Sequence, residues 1–283
     1  MTGGPSPAQV SRLVAGVFDR SAETYDAVGV PWFTPIGQGL VAELAPQPGE
    51  RALDIGCGRG AALWPLAEGV GATGWVTAID LAPRMVELTR HDADARGLTN
   101  LDLRVMDAAA PDLPTGAYDV VAASLVLFFL AEPLEALRRW RELAAPGGRV
   151  GISTFGGRDP KWVDLDGVFA PYLPQQLRDA RTTGARGPFG SDEGVAGLFA
   201  AAGLEQVRTA GQEVVASLDG PQHWVRWSWS HGQRTMWEHV PEDQRPAVEA
   251  QAVELLAAMT DADGRIDLRQ RVRHTVGVRP AES

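Results

Sequence analysis

The stretch Leu53-Asp54-Ile55-Gly56-Cys57-Gly58-Arg59-Gly60 decides the fold of this chain, together with Ala78-Ile79-Asp80 further along. In both segments an apolar strand ends in an acid, and the first strand leads through a glycine-rich loop towards a helix. Such an arrangement positions an adenosine-bearing cofactor at the carboxyl edge of a parallel sheet.

The three glycines of the loop stand at alternate positions, 56, 58 and 60. Glycine tolerates positive φ and lets a ligand approach the backbone closely. We therefore expect Gly56, Gly58 and Gly60 to leave no side chain between loop and ligand. Cys57 and Arg59 are expected to point away from it.

Three acids follow the ends of consecutive strands. Asp54 can organise the loop or contact an amino group through water. Asp80 lies where an acid accepts both hydroxyls of a ribose. Met106-Asp107-Ala108 ends the next strand with an acid suited to an adenine amino group.

A dinucleotide-binding interpretation stays open at this point, because Gly56-x-Gly58-x-x-Ala61 also matches a nicotinamide or flavin fingerprint. The acid at Asp54 weighs against it, since a negative charge is unfavourable beside a pyrophosphate. The bulky apolar stretch 125–129, which includes Phe128, also differs from a polar nicotinamide site.

Strand and helix patterns alternate along the middle of the chain, which predicts βαβ units and an α/β fold. We expect a Rossmann-like, doubly wound sheet of seven strands, mostly parallel, with an antiparallel final strand and a helical lid insertion. The predicted strands are Arg51–Ile55, Trp75–Asp80, Leu101–Met106, Tyr118–Ala123, Arg149–Phe155, Leu204–Ser217 and Ile266–Val278. The predicted helices are Val10–Asp26, Ile36–Leu44, Gly60–Glu68, Pro83–Ala95, Pro133–Leu143 and Asp192–Ala202, the last ended by Gly203.

Three regions follow from this pattern. Residues 1–48 form an N-terminal helical cap, of which residues 1–9 are expected to be disordered. Residues 49–155 form the cofactor-binding core. Residues 156–283 supply the last strands and a helical insertion at about 219–262, after a loop-rich stretch at 156–190 with sparse helix signals.

Composition excludes several classes of function. The chain has 283 residues, a net charge of −10 and a single cysteine. The acidic balance argues against nucleic acid, and the lone Cys57 fits a cytosolic protein without internal disulfides. No apolar run is long enough to span a membrane, and no cluster has metal-ligand spacing. Helical insertions can also mediate homodimers.

Taken in order, these motifs resemble the class I S-adenosylmethionine-dependent methyltransferases, especially the branch of the ubiquinone and menaquinone C-methyltransferases and many small-molecule methyltransferases. Residues 53–60 are similar to the first family motif, 79–85 to the second, 106–108 to the adenine segment, and 118–121 and 143–149 to the fourth strand and the turn before the fifth. Residues 18–26 resemble the segment that folds over the cofactor.

The resemblance implies methyl transfer from S-adenosylmethionine, leaving S-adenosylhomocysteine, to O, C or N of a small acceptor of natural-product or quinone type. A cyclase or binding protein on the same fold is the alternative. The implied cofactor-binding residues are Tyr25, Asp54, Gly56, Gly58, Gly60, Asp80, Leu81, Met85, Asp107, Ala108 and Ser124.

The acceptor site is expected beyond the fourth and fifth strands, with Trp32 and Phe128 among its residues. Residues 223–239 hold four of the nine tryptophans and three of the five histidines. On one continuous helix, Trp227, His231 and Arg234 would share a face with Trp224. We predict that this face covers the acceptor, with His231 as catalytic base or hydrogen-bond partner and Arg234 pairing with a carboxylate or phosphate. The alternative is that the tryptophans pack the insertion onto the sheet, while His231 and Arg234 bind backbone groups or Glu238.

Overall fold

A seven-stranded sheet forms the centre of the protein in the computed structural model, which describes residues 7–174 and 187–281. The strand order is β3-β2-β1-β4-β5-β7-β6, and β7 runs antiparallel to both of its neighbours. The strands are β1 (Arg51–Ile55), β2 (Trp75–Asp80), β3 (Leu101–Val105), β4 (Tyr118–Ser124), β5 (Ala144–Arg158), β6 (Glu205–Leu218) and β7 (Ile266–Val278). The predicted fold class is therefore confirmed.

Helices cover both faces of the sheet, as the nearly continuous apolar strands require. The α2, α3 and α4 helices pack on one face, and α5 and α7 pack on the other. The helices are α1 (Pro7–Ser21), α2 (Phe33–Leu44), α3 (Leu63–Val70), α4 (Pro83–Ala95), α5 (Pro133–Leu143), α6 (Lys161–Gly167), α7 (Asp192–Ala201), α8 (Pro221–Trp229), α9 (Arg234–His239) and α10 (Arg245–Ala258).

Local signals explain where several helices begin and end. Proline occupies the first turn of α4, α5 and α8, where its missing N–H costs no helical hydrogen bond. At the end of α7, Gly203 adopts φ 79° and its N–H donates to Ala200 O, while the N–H of Leu204 donates to Phe199 O. The predicted glycine cap is thus confirmed.

Some predicted boundaries are wrong. The α1 helix begins at Pro7 rather than Val10, which contradicts disorder at residues 7–9; the rest of that prediction, residues 1–6, lies outside the described residues. The α3 helix begins at Leu63 because Gly60 takes φ 90°, which an α-helix does not allow. Within the predicted loop-rich stretch 156–190, α6 and a short turn at 187–190 are present, and residues 175–186 are not described.

The helical insertion predicted at about 219–262 contains three separate helices, α8, α9 and α10, rather than one. Together with α6 they enclose a tryptophan-rich core of their own beside the β6–β7 end of the sheet. The side chains of Trp224, Trp227 and Trp237 are fully buried in it. Over the described ranges, no helix combines the length and apolar character needed to cross a membrane.

Candidate functional site

The glycine loop is held on the carboxyl edge of β1 and β2 by the backbone. The N–H groups of Gly56 and Cys57 both donate to Ile79 O, at 2.7 and 2.9 Å. Gly56 has φ 68°, and a Cβ there would lie 2.4 Å from a methyl of Val126. Glycine is therefore required by conformation and by packing. Gly58 has φ 49° and is the glycine that faces the ring of Tyr25.

Gly60 serves a different purpose from the one predicted. A Cβ at this position would lie 2.2 Å from the indole of Trp64, whose Nε1 donates to Arg59 O. Gly60 lies outside both cavities described below. The space beside it is filled by Trp64, not kept clear for a ligand.

The carboxylate of Asp80 is held by backbone N–H groups, one of them in the glycine loop. Its Oδ2 accepts from the N–H of Gly58 at 2.9 Å and its Oδ1 from the N–H of Ala82 at 2.8 Å. Burial raises the pKa of Asp80, and these N–H donors counteract the rise. Asp107 sits similarly at the end of β3 and accepts from the N–H of Ala109.

Asp54 is the most unusual group in the site. It is almost fully buried, and within the described ranges neither carboxylate oxygen accepts a hydrogen bond. Burial, and secondarily the charge of Asp80, raises the pKa of Asp54 to about 8. A buried carboxyl without donors is costly to ionise. It is suited to a cation that arrives with the ligand.

The segment after α1 places an aromatic ring over the loop. Tyr25 stacks on Phe33 with ring centroids 4.3 Å apart. The neighbouring Asp26 accepts hydrogen bonds from the N–H groups of Trp32, Phe33 and Thr34. Asp26 thus pairs with the free backbone N–H groups at the start of α2 and fixes the position of the neighbouring Tyr25.

Two adjoining cavities meet at this edge of the sheet, and they share Tyr25, Phe33, Gly56, Gly58 and Ser124. The polar cavity also contains Asp54, Cys57 and Arg59. The main cavity brings together most of the predicted site residues: Tyr25, Gly56, Gly58, Asp80, Leu81, Met85, Asp107, Ala108, Ser124, Trp32, Phe128, Trp227 and His231. Gly60 and Arg234 line neither cavity.

The main cavity is also walled by aromatic rings. Trp32, Trp162 and Trp227 contact one another with centroids 5.5 to 5.9 Å apart. His231 packs against Trp227 at 4.6 Å and meets Phe33 edge to face at 5.8 Å. Aromatic rings thus line this cavity, but they come from the residue before α2, from α6 and from α8 rather than from the single predicted face, and Trp224 of that face is not among the lining residues.

The helical face predicted to unite His231 with Arg234 is absent, because α8 ends at Trp229 and the chain bends before α9. Arg234 Nε donates to Glu238 at 2.9 Å, and its Nη1 donates to Arg20 O. Glu238 also binds Arg20 through both oxygens. Arg234 ties the lid helices to α1 instead of facing the cavity.

Several site residues were not predicted from sequence. Gln233 and Gln270 line the main cavity, and Gln233 Oε1 is buried with no hydrogen-bond donor among the described residues. Val126 fills the notch that Gly56 leaves. Nothing local signals these residues, whereas Asp26 could have been suspected as an acid a few residues before a helix start.

The cofactor implied by the resemblance can be tested against this geometry. An S-adenosyl group presents a ribose diol, an adenine amino group and an amino-acid ammonium. Asp80 and Asp107 lie at neighbouring strand ends in the main cavity, and the unpaired carboxyl of Asp54 lies beside the adjoining polar one. Because a buried acid without donors suits a cationic ligand, the residues present fit this group.

Comparison with known proteins also indicates a methyltransferase. Residues 52–148 match the family model described as a methyltransferase domain. The chain is 37% identical to nocamycin O-methyltransferase of Saccharothrix syringae over 94% of its own length and 98% of that protein. It is 44% identical to aklanonic acid methyltransferase DauC of a Streptomyces species, over 59% of this chain and 76% of that one.

Solved structures share the fold at low sequence identity. Phosphoethanolamine N-methyltransferase 2 of Haemonchus contortus, determined with S-adenosylhomocysteine, superposes with a TM-score of 0.60 at 13% identity, over 98% of this chain and 61% of that one. The cyclase SpnF gives a TM-score of 0.58 at 19% identity, over 99% and 98%. At such identities the likeness concerns the fold alone.

Nocamycin O-methyltransferase is similar over almost the full length of both chains, and the site geometry suits an S-adenosyl cofactor. The methyltransferase interpretation is therefore confirmed over the nicotinamide alternative, and the chain belongs to the S-adenosylmethionine-dependent methyltransferases.

Proposed function

We propose that the enzyme methylates an oxygen of a small, largely aromatic natural product. The observation that carries the proposal is the aromatic part of the main cavity, which adjoins the segments at Asp80 and Asp107. The names of the two similar enzymes support the choice, because one is an O-methyltransferase of nocamycin and the other acts on aklanonic acid.

On the cofactor side, we propose one role for each residue. Asp80 would hold the ribose hydroxyls, while Asp107 and Ala108 would contact the adenine, with Leu81 and Met85 packing beside it. Asp54 and Tyr25 would enclose the amino-acid part. When bound, the cofactor supplies a methyl group on a positively charged sulfur.

On the acceptor side, the rings of Trp32, Phe128 and Trp227 would hold a flat apolar molecule. Offset and edge-to-face packing of rings adds to the free energy gained by burying their surface. The aromatic wall would exclude water from the acceptor and align its oxygen. Gln233 Oε1 would accept a hydrogen bond from a hydroxyl of the acceptor, because a buried amide oxygen left unpaired costs about 1–3 kcal/mol.

The orientation of Gln233 follows from its surroundings. Its Nε2 donates to Asp166 Oδ1 at 3.5 Å. A carboxylate can only accept, so the amide nitrogen must face Asp166 and Oε1 must face away from it. The amide is thereby presented as an acceptor.

His231 has a defined tautomer. The backbone N–H of Gln233 donates to His231 Nδ1 at 3.3 Å. In the neutral ring the proton therefore resides on Nε2, and that atom donates rather than accepts. We propose that His231 orients the acceptor oxygen as a donor. An acceptor whose oxygen ionises readily then needs no protein base.

The proposed activity is tested by incubating the enzyme with methyl-labelled S-adenosylmethionine and a panel of hydroxylated aromatic natural products, with mass spectrometry of the products. We expect label on an oxygen of one acceptor and matching release of S-adenosylhomocysteine. Tight cofactor binding without transfer to any acceptor would instead favour the cyclase or binding-protein alternative.

The role of His231 is separated from that of a base by two variants. His231→Gln retains an N–H donor, so it should keep much of the activity that His231→Ala loses. Equal loss in both variants would show that His231 acts as a base, because a glutamine side chain cannot take up the proton. S-adenosylhomocysteine affinity should stay unchanged in both.

The three-region division, the cytosolic setting and the homodimer remain predictions.

A further inference from the structure

A row of four polar side chains crosses the sheet beneath α2, and its two central members, Ser153 and His274, are buried. Ser124 on β4 is paired with Ser153 on β5, and Ser153 is paired with His274 on β7. The Ser124 and Ser153 hydroxyls are 3.5 Å apart, Ser153 Oγ lies 3.0 Å from His274 Nδ1, and His274 Nε2 lies 2.7 Å from Gln212 Oε1. The row thus runs from the cavity wall through the interior to Gln212 on the edge strand β6.

The direction of every hydrogen bond in the row is set at its far end. Gln212 Nε2 donates to Pro35 O, a carbonyl that can only accept. Gln212 Oε1 therefore faces His274 and accepts from Nε2–H. A neutral His274 then accepts at Nδ1 from the Ser153 hydroxyl, which in turn accepts from Ser124.

His274 stays neutral, as this direction requires. Burial lowers the pKa of His274 to about 4, so the ring carries one proton at neutral pH. Neutral His274 is therefore a weak base, and the row does not act as a general base. Its effect is to orient the hydroxyl groups.

The fold makes room for the row at some cost. A Cβ at Gly39, in the middle of α2, would lie 2.3 Å from Gln212 Oε1 and 2.6 Å from His274 Nε2. A glycine inside a helix destabilises the helix relative to alanine. Apolar side chains would fill the same space without that cost or any need for hydrogen-bond partners.

We propose that His274 is a positioning residue which, through Ser153, makes Ser124 a hydrogen-bond acceptor for an N–H or O–H group of a bound ligand. Ser124 lines both the main and the polar cavity. Its own proton is committed to Ser153, so only its lone pairs face the ligand. The donor is either the ammonium of the cofactor or a hydroxyl of the acceptor; only the second source rests on the proposed function.

The test is a double-mutant cycle on ligand affinity. Ser153→Ala and His274→Phe are each introduced into the wild type and into Ser124→Ala. Each should weaken binding about three- to tenfold in the wild type, the usual effect of one hydrogen bond, and have no effect when Ser124 is already alanine. Ser153→Ala keeps the test valid should His274→Phe fail to fold.

Two pairs of probes distinguish the sources of the donor. In calorimetry, S-adenosylhomocysteine carries the ammonium and methylthioadenosine lacks it. With the enzyme saturated by S-adenosylhomocysteine, tryptophan fluorescence quenching compares alizarin, which carries hydroxyls, with anthraquinone, which does not. Coupling confined to the first member of either pair supports the proposal and identifies the donor.

Thr275→Val is the matched control. Thr275 is the fully buried neighbour of His274, and its hydroxyl pairs with Thr209 at 2.9 Å outside the row. This variant should lower thermal stability without changing any ligand affinity. The proposal is overturned if neither pair of probes shows coupling, or if Ser153→Ala weakens binding equally with and without Ser124. Because affinity is measured rather than turnover, such a failure is distinct from a failure to find methyl transfer.

Discussion

Replacing the buried acid Asp54 by asparagine should change both stability and cofactor binding in a pH-dependent way. In the folded protein without ligand, burial raises the pKa of Asp54 from 3.8 to about 8. A carboxyl group whose pKa is higher in the folded than in the unfolded protein favours the folded state at low pH. This contribution to stability is lost as the pH rises from about 4 through 8. At roughly 1.4 kcal/mol per pH unit, the loss reaches about 6 kcal/mol.

The side-chain amide of asparagine does not ionise over this pH range. The free energy of unfolding of Asp54→Asn relative to wild type should therefore rise by about 1.4 kcal/mol per pH unit between pH 4 and 8, and level off above. Denaturant unfolding without ligand at a series of pH values measures this difference. A difference independent of pH would refute the conclusion that Asp54 is buried and unpaired.

Cofactor binding supplies the second half of this test. A cationic ligand favours the ionised carboxyl, so wild-type affinity for S-adenosylhomocysteine should increase up to tenfold per pH unit below pH 8. Proton release should accompany binding. Asp54→Asn should bind at least about tenfold more weakly at pH 8, because a hydrogen bond to a charged group is lost. Calorimetry in buffers of different ionisation enthalpy measures both quantities, and equal affinity of the two proteins would contradict the proposed role.

Three further predictions concern the loop and the sheet. Asp80→Ala should weaken S-adenosylhomocysteine binding about tenfold or more in calorimetry, and unchanged affinity would remove its ribose role. Gly60→Ala should lower the thermal midpoint strongly, because its Cβ would strike Trp64; a midpoint like that of wild type would contradict the packing. Arg271, and secondarily Arg273, lower the pKa of Asp192 to about 2, so its stabilisation holds above pH 4 and is lost towards pH 2. Asp192→Asn should therefore cost about 1 kcal/mol at neutral pH, discounted for exposure, and nothing at pH 2; the same cost at both would refute this.

Local chemistry explains why the core could be predicted from the sequence. The ends of β1 and β2 are marked by an acid after an apolar run, and glycines mark the loop between them. Such signals lie within a few residues of the structure that they determine. The order of the motifs then identified the family, because their spacing reflects the connections of one sheet.

The lid could not be predicted in the same way. The helical spacing of Trp227, His231 and Arg234 holds only if the helix continues, yet the chain bends at residues 230–233. Trp224 and Trp237 lie in separate helices and contact each other across the lid core, at 6.3 Å between ring centroids. A period of 3.6 residues does not report such a bend, which tertiary packing stabilises.

The polar row from Ser124 to Gln212 was hidden for a related reason. Its members come from four strands and meet only through strand register. Ser153 and His274 are far apart in sequence, and each alone is an ordinary residue of a strand. Their contact depends on the antiparallel pairing of β5 with β7.

The structure of the ternary complex with S-adenosylhomocysteine and a methylated acceptor tests the proposed function most directly. We expect the acceptor ring to lie against Trp32 and Trp227, its methylated oxygen to point at the cofactor sulfur, and His231 Nε2 to donate to the acceptor. An acceptor bound outside this cavity, or a methylated carbon or nitrogen at the sulfur, would contradict it.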